Sequence, residues 1–197
     1  RGFMRKRGLV FTLAALCLVA AAAESAAAQS RQYVQGQVVG IGGRRAGLNR
    51  TFSLTINSYS TADDVQRLNE ALRTGGQEEL LSVLSKLNAG RVSIGNNVGV
   101  RANAVIATPS AEGGTKLTVL YERDVAIFER RYGTRSQDYR FGFAEIYLDA
   151  RGRGQGTFIP AAKVKLEGAN NWVVEDFGEF PARLLGLRSS GRVGVAR

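Results

Sequence analysis

The stretch TADDVQRLNEALRTGGQEELLSVLSKLNAG, Thr61 to Gly90, decides the fold class, because it has the pattern of helices in a chain that otherwise has the pattern of strands. Thr61 and Asp64 have the spacing of a capping box at a helix N-terminus. Apolar residues then recur at helical spacing: Val65, Leu68, Leu72, Leu80, Leu81, Leu84 and Leu87. Since Gly75-Gly76 interrupts this pattern, we predict a helical hairpin over about residues 61–88, whose second helix, Glu78–Leu87, is ended by Gly90.

The segments on both sides of this stretch have the composition of β-strands. Val, Ile, Thr, Tyr and Phe dominate them, and short Gly-rich turns join them. These turns are too short to hold the crossover helices of a parallel sheet. We therefore predict an α+β fold, a mainly antiparallel β-sheet with the helical hairpin packed on it. The predicted strands are Tyr33–Ile41, Thr51–Tyr59, Arg91–Ile94, Val98–Thr108, Lys116–Glu122, Tyr139–Leu148, Thr157–Leu166, Trp172–Phe177 and Arg183–Leu187, with the last three in a meander.

The stretch RRYGTRSQDYRFGF, Arg130 to Phe143, mixes arginines with aromatic residues, as nucleic-acid-binding surfaces do. Acids offset the arginines, however, and residues 121–140 carry a net charge of only +1. In the strand Tyr139–Leu148, moreover, aromatic side chains alternate with other apolar residues, so both faces are apolar. This pattern is typical of a central strand covered on both faces, and it argues against nucleic acid as a partner.

The N-terminal residues have the pattern of a secretory signal peptide. A basic segment, Arg5 to Arg7, precedes an apolar run from Leu9 to Ala23, and Ala26–Ala28 matches the rule for signal-peptide cleavage. The run is shorter than the roughly 20 residues that cross a bilayer. We predict that residues 1–28 are removed, that residues 29–188 form a single exported domain without a retained transmembrane segment, and that residues 189–197 are a disordered tail. The predicted location is periplasmic or extracellular.

The composition excludes several kinds of chemistry. The chain has no His, and its single Cys and single Met, Cys17 and Met4, lie in the predicted signal peptide. Ser-His-Asp and Cys-His catalysis therefore have no residues to use. The same absence removes the usual ligands of zinc, haem and iron–sulfur clusters and leaves no disulfide. We predict no cofactor and no metal.

Carboxylate chemistry remains open to this chain. A hydrolase of the glycan-cleaving type needs two acids about 5–10 Å apart. Glu122 or Asp124 together with Glu145 is the pair to consider, because these acids lie on or beside two predicted central strands. A carboxylate-dependent hydrolase is therefore the first alternative function.

Basic charge is concentrated on two Gly-rich turns. Without residues 1–28 the net charge is +7, since Arg1, Arg5, Lys6, Arg7 and Glu24 are lost from a chain of charge +10. Residues 29–62 and all residues after Glu179 contain no acid. Gly-rich turns expose backbone N–H groups that can form anion-binding nests. We predict that the turns Gly42–Arg50 and Arg151–Gly156 bind an anionic envelope polymer or lipid headgroups through Arg44, Arg45, Arg50, Arg151 and Arg153.

Four stretches carry a resemblance: YERDVAIFERRYGT, YRFGFAEIYLD, GTFIPAAKVKLEG and VVEDFGEFPARLLGLR, the last being Val173–Arg188. Together they resemble an uncharacterised group of secreted proteins from environmental bacteria that combine a helical hairpin with a sheet. No activity is established for that group, so the resemblance implies an exported domain of unknown role. The function predicted is a non-catalytic binding or structural domain. A subunit of an envelope assembly is the second alternative, and its sign would be a large exposed apolar patch.

Overall fold

The computed structural model describes residues 31–42, 46–111, 113–123 and 138–190. These residues form ten strands and one helix. In chain order the elements are β1 Gln32–Gly40, β2 Asn49–Ile56, α1 Ala62–Leu84, β3 Gly90–Ile94, β4 Val100–Ala102, β5 Ala104–Pro109, β6 Thr115–Glu122, β7 Phe141–Leu148, β8 Arg153–Glu167, β9 Asn171–Phe177 and β10 Ala182–Ser190. The strand β10 thus continues two residues beyond the predicted end of the domain at Arg188.

All ten strands belong to one antiparallel sheet, as the sequence predicted. The strand order is β4-β3-β2-β1-β10-β8-β7-β6-β5, and β9 pairs with β8 beside this path. The first and last strands of the order, β4 and β5, are separated in the chain by Asn103 alone. The sheet therefore curves round until its two ends meet, and it has an inward and an outward face.

Two buried clusters lie on these two faces. The inward cluster takes side chains from strands far apart in the sheet order, such as Val34 of β1, Val105 of β5 and Ile146 of β7. The outward cluster lies between the sheet and α1 and contains Leu68, Leu80 and Leu84 of the helix. The predicted leucine stripe of the helical segment is therefore core.

The predicted helical hairpin is wrong, because the structure has a single helix with a kink. Gly76 breaks the helical backbone with φ 66° and ψ −149°, yet both parts of α1 contribute leucines to the same outward cluster. Both parts of α1 therefore pack on the outward face of the sheet. The capping box of Thr61 and Asp64 is present as predicted, whereas the helix ends at Leu84 and Gly90 begins β3.

The predicted meander of the last three strands is also wrong. β9 and β10 both pair with β8, β9 with residues 162–167 and β10 with residues 153–158. On its other side β8 pairs with β7 only as far as Ala162. Beyond that point the side chain of Gln77 in α1 forms hydrogen bonds with the free edge of β8. Its amide donates to Val164 O at 2.7 Å and accepts from Val164 N at 3.2 Å.

The prediction for Tyr139–Leu148 is confirmed in its main point, because β7 is covered on both faces. Phe141 and Phe143 lie in the outward cluster under α1, and Ile146 and Leu148 lie in the inward cluster. Tyr139, just before the strand, is also buried, and its hydroxyl donates to Asp176 Oδ2 at 2.5 Å. These aromatic rings are part of the core, so they are not available for stacking on a ligand.

Candidate functional site

One half of the outward face of the sheet is not covered by the helix. It belongs to β4, β3, β2, β1 and β10, which are neighbours in the sheet order. We call it the open face. It consists of the outward-pointing side chains of these strands, namely Tyr33, Gln35, Gln37, Val39, Asn49, Thr51, Ser53, Thr55, Arg91, Ser93, Arg101, Arg183, Leu185, Arg188 and Ser190.

A β-bulge places the arginines of β10 on this face. The register of β10 against β8 shifts between Leu184 and Leu187, so that both leucines point inward. Gly186 occupies the bulge with φ 60°, a backbone conformation that favours glycine. As a result Arg183 and Arg188, which have opposite parity in a regular strand, both point outward.

Cross-strand register brings like charges together at the two margins of the open face. Arg91 of β3 is directly opposite Arg101 of β4, and Arg188 of β10 is directly opposite Arg153 of β8. Like charges in such pairs destabilise a sheet. From Arg101 to Arg153 the face extends over five strand spacings, or about 24 Å along the sheet.

The open face contains no acid. None of its five strands includes an Asp or Glu. In the described residues, no ion pair involves Arg91, Arg101, Arg183 or Arg188; the pairs lie on α1, on β6 to β9 and on their connections. Arg91 and Arg101 each donate to backbone carbonyl oxygens, at 3.1–3.3 Å, and these bonds leave their positive charge uncompensated.

The centre of the open face is a shallow depression with a volume of about 810 Å³. Its floor lies at the bulge, between β1 and β10, and Tyr33 and Leu185 are its large apolar residues, each 39% exposed. Amide and hydroxyl groups surround them, from Gln35, Gln37, Thr51, Ser189 and Ser190. Arginine charges, amides, hydroxyls and one exposed ring are thus combined on one surface.

The structure places the two basic turns, whose relative position the sequence did not predict, far apart. Gly40, before the first turn, is opposite Ala182, whereas Arg153, within the second turn, is opposite Arg188. Six residues of β10 separate these positions, so the turns lie about 20 Å apart at opposite ends of the strand. Arg44 and Arg45 lie outside the described residues.

The backbone N–H groups of the second turn already have an acceptor. Arg151 N and Arg153 N donate to Asp149 Oδ1 at 2.8 and 2.9 Å. The pKa of Asp149 is held below its usual range mainly by the hydrogen bond from the Arg153 backbone. The hydrogen bond from the Arg151 backbone and the charge of Arg153 contribute less. An external anion could therefore meet only the side chains of this turn, of which Arg153 borders the open face.

The candidate carboxylates do not form a catalytic pair among the described residues. Glu122 is opposite Phe141 and Glu145 is opposite Thr118, so the two acids lie four residues apart along the sheet, about 13 Å. Glu145 forms an ion pair with Lys116, and Phe143 lies buried on the same face between the two acids. Asp124 lies outside the described residues. Within those residues there is also no cluster of three or more potential metal ligands.

Comparison of the chain with protein-family models, with curated proteins and with solved structures finds no match. In the part of the chain that the structure describes, no helix is long and apolar enough to cross a membrane.

Sequence analysis missed most of the open face. The two acid-free segments, residues 29–62 and those after Glu179, were its signal, but nothing in the sequence indicated that β10 lies next to β1. Arg91 and Arg101 were missed because their segment was assigned only as strand. Arg50, which was predicted, lies on the other face: it shares the parity of Phe52, Leu54 and Ile56, whose side chains point inward.

Proposed function

We propose that this protein is an exported, non-catalytic binding domain and that its open face binds an acidic polysaccharide of the cell envelope. The observation that carries the proposal is that five neighbouring strands contain no acid, while four arginines without ion pairs in the described residues point outward from them. The like-charge pair of Arg91 and Arg101 costs stability in the free protein. A bound anion would remove that cost.

The residue types favour a polysaccharide bearing carboxylate or sulfate groups. Guanidinium groups bind planar or tetrahedral oxyanions through paired hydrogen bonds. The amides of Gln35, Gln37 and Asn49 can both donate to and accept from hydroxyl groups. These side chains are exposed and lie between the two arginine margins. The face therefore offers groups for the charges and for the hydroxyls of one ligand.

Two other anionic partners fit this face less well. Single-stranded nucleic acid is bound by several stacked aromatic rings, and Tyr33 is the only aromatic residue of the open face. A lipid surface needs side chains that insert among the acyl chains. Leu185 and Tyr33 are the only large apolar groups in the central depression. Arg153 extends the open face at its margin, and Arg44, Arg45 and Arg151 stay proposed as further contacts.

The test is calorimetric titration of the chain with polygalacturonate, and with neutral dextran as the uncharged comparison. The variant Arg183→Gln/Arg188→Gln removes two charges that make no hydrogen bond or ion pair within the described residues, so the fold should be retained. Exposed charge contacts are each worth about 0.2–1 kcal/mol, so we expect affinity to fall about 2- to 30-fold. Raising the salt concentration should weaken binding of the unmodified chain.

The matched control is Lys163→Gln/Lys165→Gln, which lowers the net charge equally on β8, away from the open face. It should bind polygalacturonate like the unmodified chain. Equal loss in both variants would mean that only net charge matters, and the open face would not be the site. Absence of binding to polygalacturonate, or equal binding to dextran, would also overturn the proposal.

A further inference from the structure

The inward face of the sheet opens at one end into an apolar cleft. This end lies where β1 finishes, β2 begins and β3 turns into β4. One recess, of about 160 Å³, lies between β1, β2 and the segment before β10, and a second, of about 440 Å³, lies beside the turn between β3 and β4. The two recesses share Ile94, Phe158 and Pro160. The apolar cleft is defined here by Leu48, Ile94, Val98, Phe158, Pro160 and Phe180.

Large apolar side chains at the rim of the cleft are exposed to solvent. Val98 is 84% exposed, Phe180 58% and Leu48 44%. Phe180 contacts Phe177, with the ring centroids 6.1 Å apart. A Cβ added at Gly42 would lie 2.7 Å from Cδ1 of Phe180, so the ring packs directly against this glycine. An exposed apolar surface that surrounds a recess is typical of a binding site.

A single cation without an ion pair lies in this apolar surface. Arg50 lines the smaller recess and is directly opposite Val38, which lines it as well. Its side chain is exposed and extends past Gly95, where a Cβ would lie 3.8 Å from Arg50 Cδ. Arg50 forms no ion pair in the described part of the chain. Its guanidinium is therefore free to meet an anion from outside.

Arg123 also lies at this opening, where it forms an ion pair with Glu179. It lines the larger recess next to Tyr121, and its side chain is only 9% exposed. It donates to the carbonyl oxygen of Tyr139 at 3.3 Å and lies 3.9 Å from Glu179 Oε1. Because Arg123 is held in place while Arg50 is not, Arg50 is the group that can follow a ligand.

We propose that the apolar cleft binds the chain of an aliphatic carboxylate and that Arg50 binds its head group. The apolar recesses and rim match an alkyl chain, and the guanidinium beside them matches a carboxylate. The larger recess falls in the range of roughly 300–1,000 Å³ that small-molecule sites occupy. This site is separate from the open face, which lies on the outward side of the sheet.

The test is titration calorimetry of the full chain with dodecanoate and with dodecanol, which has the same chain without the charge. Arg50→Gln should weaken dodecanoate binding about tenfold or more, since hydrogen bonds to charged groups are the stronger ones. It should leave dodecanol binding unchanged. Leu48→Ser should weaken both ligands about fivefold, because part of their apolar contact is lost. Lys86→Gln, an exposed change in the segment between α1 and β3 and away from the cleft, is the matched control and should change neither.

A second measurement does not depend on any variant. A spin-labelled fatty acid should broaden the methyl NMR signals of Leu48, Ile94 and Val98 and spare Leu148, which lies at the far end of the interior. Uniform broadening, or dodecanoate binding that Arg50→Gln and Leu48→Ser leave unchanged, would overturn the proposal. Binding to anionic vesicles without binding to free dodecanoate would also overturn it and assign the cleft to a membrane surface instead.

Discussion

The substitution Gly142→Ala probes the contact that joins β6 to β7 at the open end of the interior. Gly142 is directly opposite Tyr121. A Cβ at position 142 would lie 1.8 Å from Tyr121 Cζ and 2.3 Å from both Cε atoms, so the ring lies directly over the glycine. The ring is 6% exposed and stacks on Phe158, with centroids 6.3 Å apart and planes at 15°. The methyl group of alanine must therefore displace the ring.

The cost can be worked out from three contributions. Overpacking a core position costs about 1–3 kcal/mol. Loss of the aromatic pair costs about 0.5–1.5 kcal/mol. Alanine recovers about 0.5–1 kcal/mol, because glycine loses more backbone freedom on folding. The net loss lies between about 0.5 and 4 kcal/mol with a central value of about 2 kcal/mol, which lowers the midpoint of thermal unfolding by about 4–8 °C for a domain of this size.

Urea unfolding of a double-mutant cycle checks this explanation. Tyr121→Leu removes the distal ring atoms that meet position 142 and keeps an apolar side chain. In that background Gly142→Ala should cost nothing, or should stabilise the protein by up to about 1 kcal/mol. If Gly142→Ala costs the same in both backgrounds, the ring contact does not explain the effect, and the reasoning is refuted.

Two further predictions concern the ends of α1. Asn103→Ala removes a buried amide that donates to two carbonyl oxygens at the helix end, at 3.1 and 3.2 Å, and accepts from a backbone N–H of β6 at 2.8 Å. Chemical denaturation should show that the free energy of unfolding falls by about 2–4 kcal/mol. A fall of under about 1 kcal/mol would contradict this prediction. Thr61→Ala should cost about 1 kcal/mol at neutral pH. Burial raises the pKa of Asp64, but hydrogen bonds from Thr61 and the charge of Arg67 outweigh it and hold the pKa below its usual range. A carboxylate whose pKa is lowered by folding stabilises the folded state above its unfolded pKa, and this stabilisation is lost as the pH falls through the folded pKa. The difference in unfolding free energy between Thr61→Ala and the unmodified chain should therefore shrink as the pH falls below about 4. A constant difference would argue against the capping box.

Features that depend on neighbouring residues in the chain were predictable. The capping box of Thr61 and Asp64 depends on three-residue spacing alone, and it is present. The two apolar faces of Phe141–Leu148 follow from the alternation of a strand, and both faces are buried. In these cases the chemistry of the segment and its local geometry are sufficient, so the rest of the fold does not change the outcome.

The errors arose where a local signal allows more than one tertiary arrangement. Gly75-Gly76 indicates an interruption of the helix, but the angle after it depends on packing. In the structure both halves of α1 contribute leucines to the same outward cluster. Likewise Val98–Thr108 reads as one strand, whereas Asn103 splits it, because its buried side chain bonds to α1 and β6. Those partners are distant in sequence.

By itself, the sequence determined the classes of chemistry open to this protein and the antiparallel character of its sheet. Residue types and short-range spacing are sufficient for both. Only the tertiary structure decided where the charges lie. The pairing of β10 with β1 and the bulge at Gly186 place Arg183 and Arg188 beside an acid-free sheet, while strand parity turns Arg50 towards the interior. Register is set by contacts across the whole sheet, so no single segment contains it.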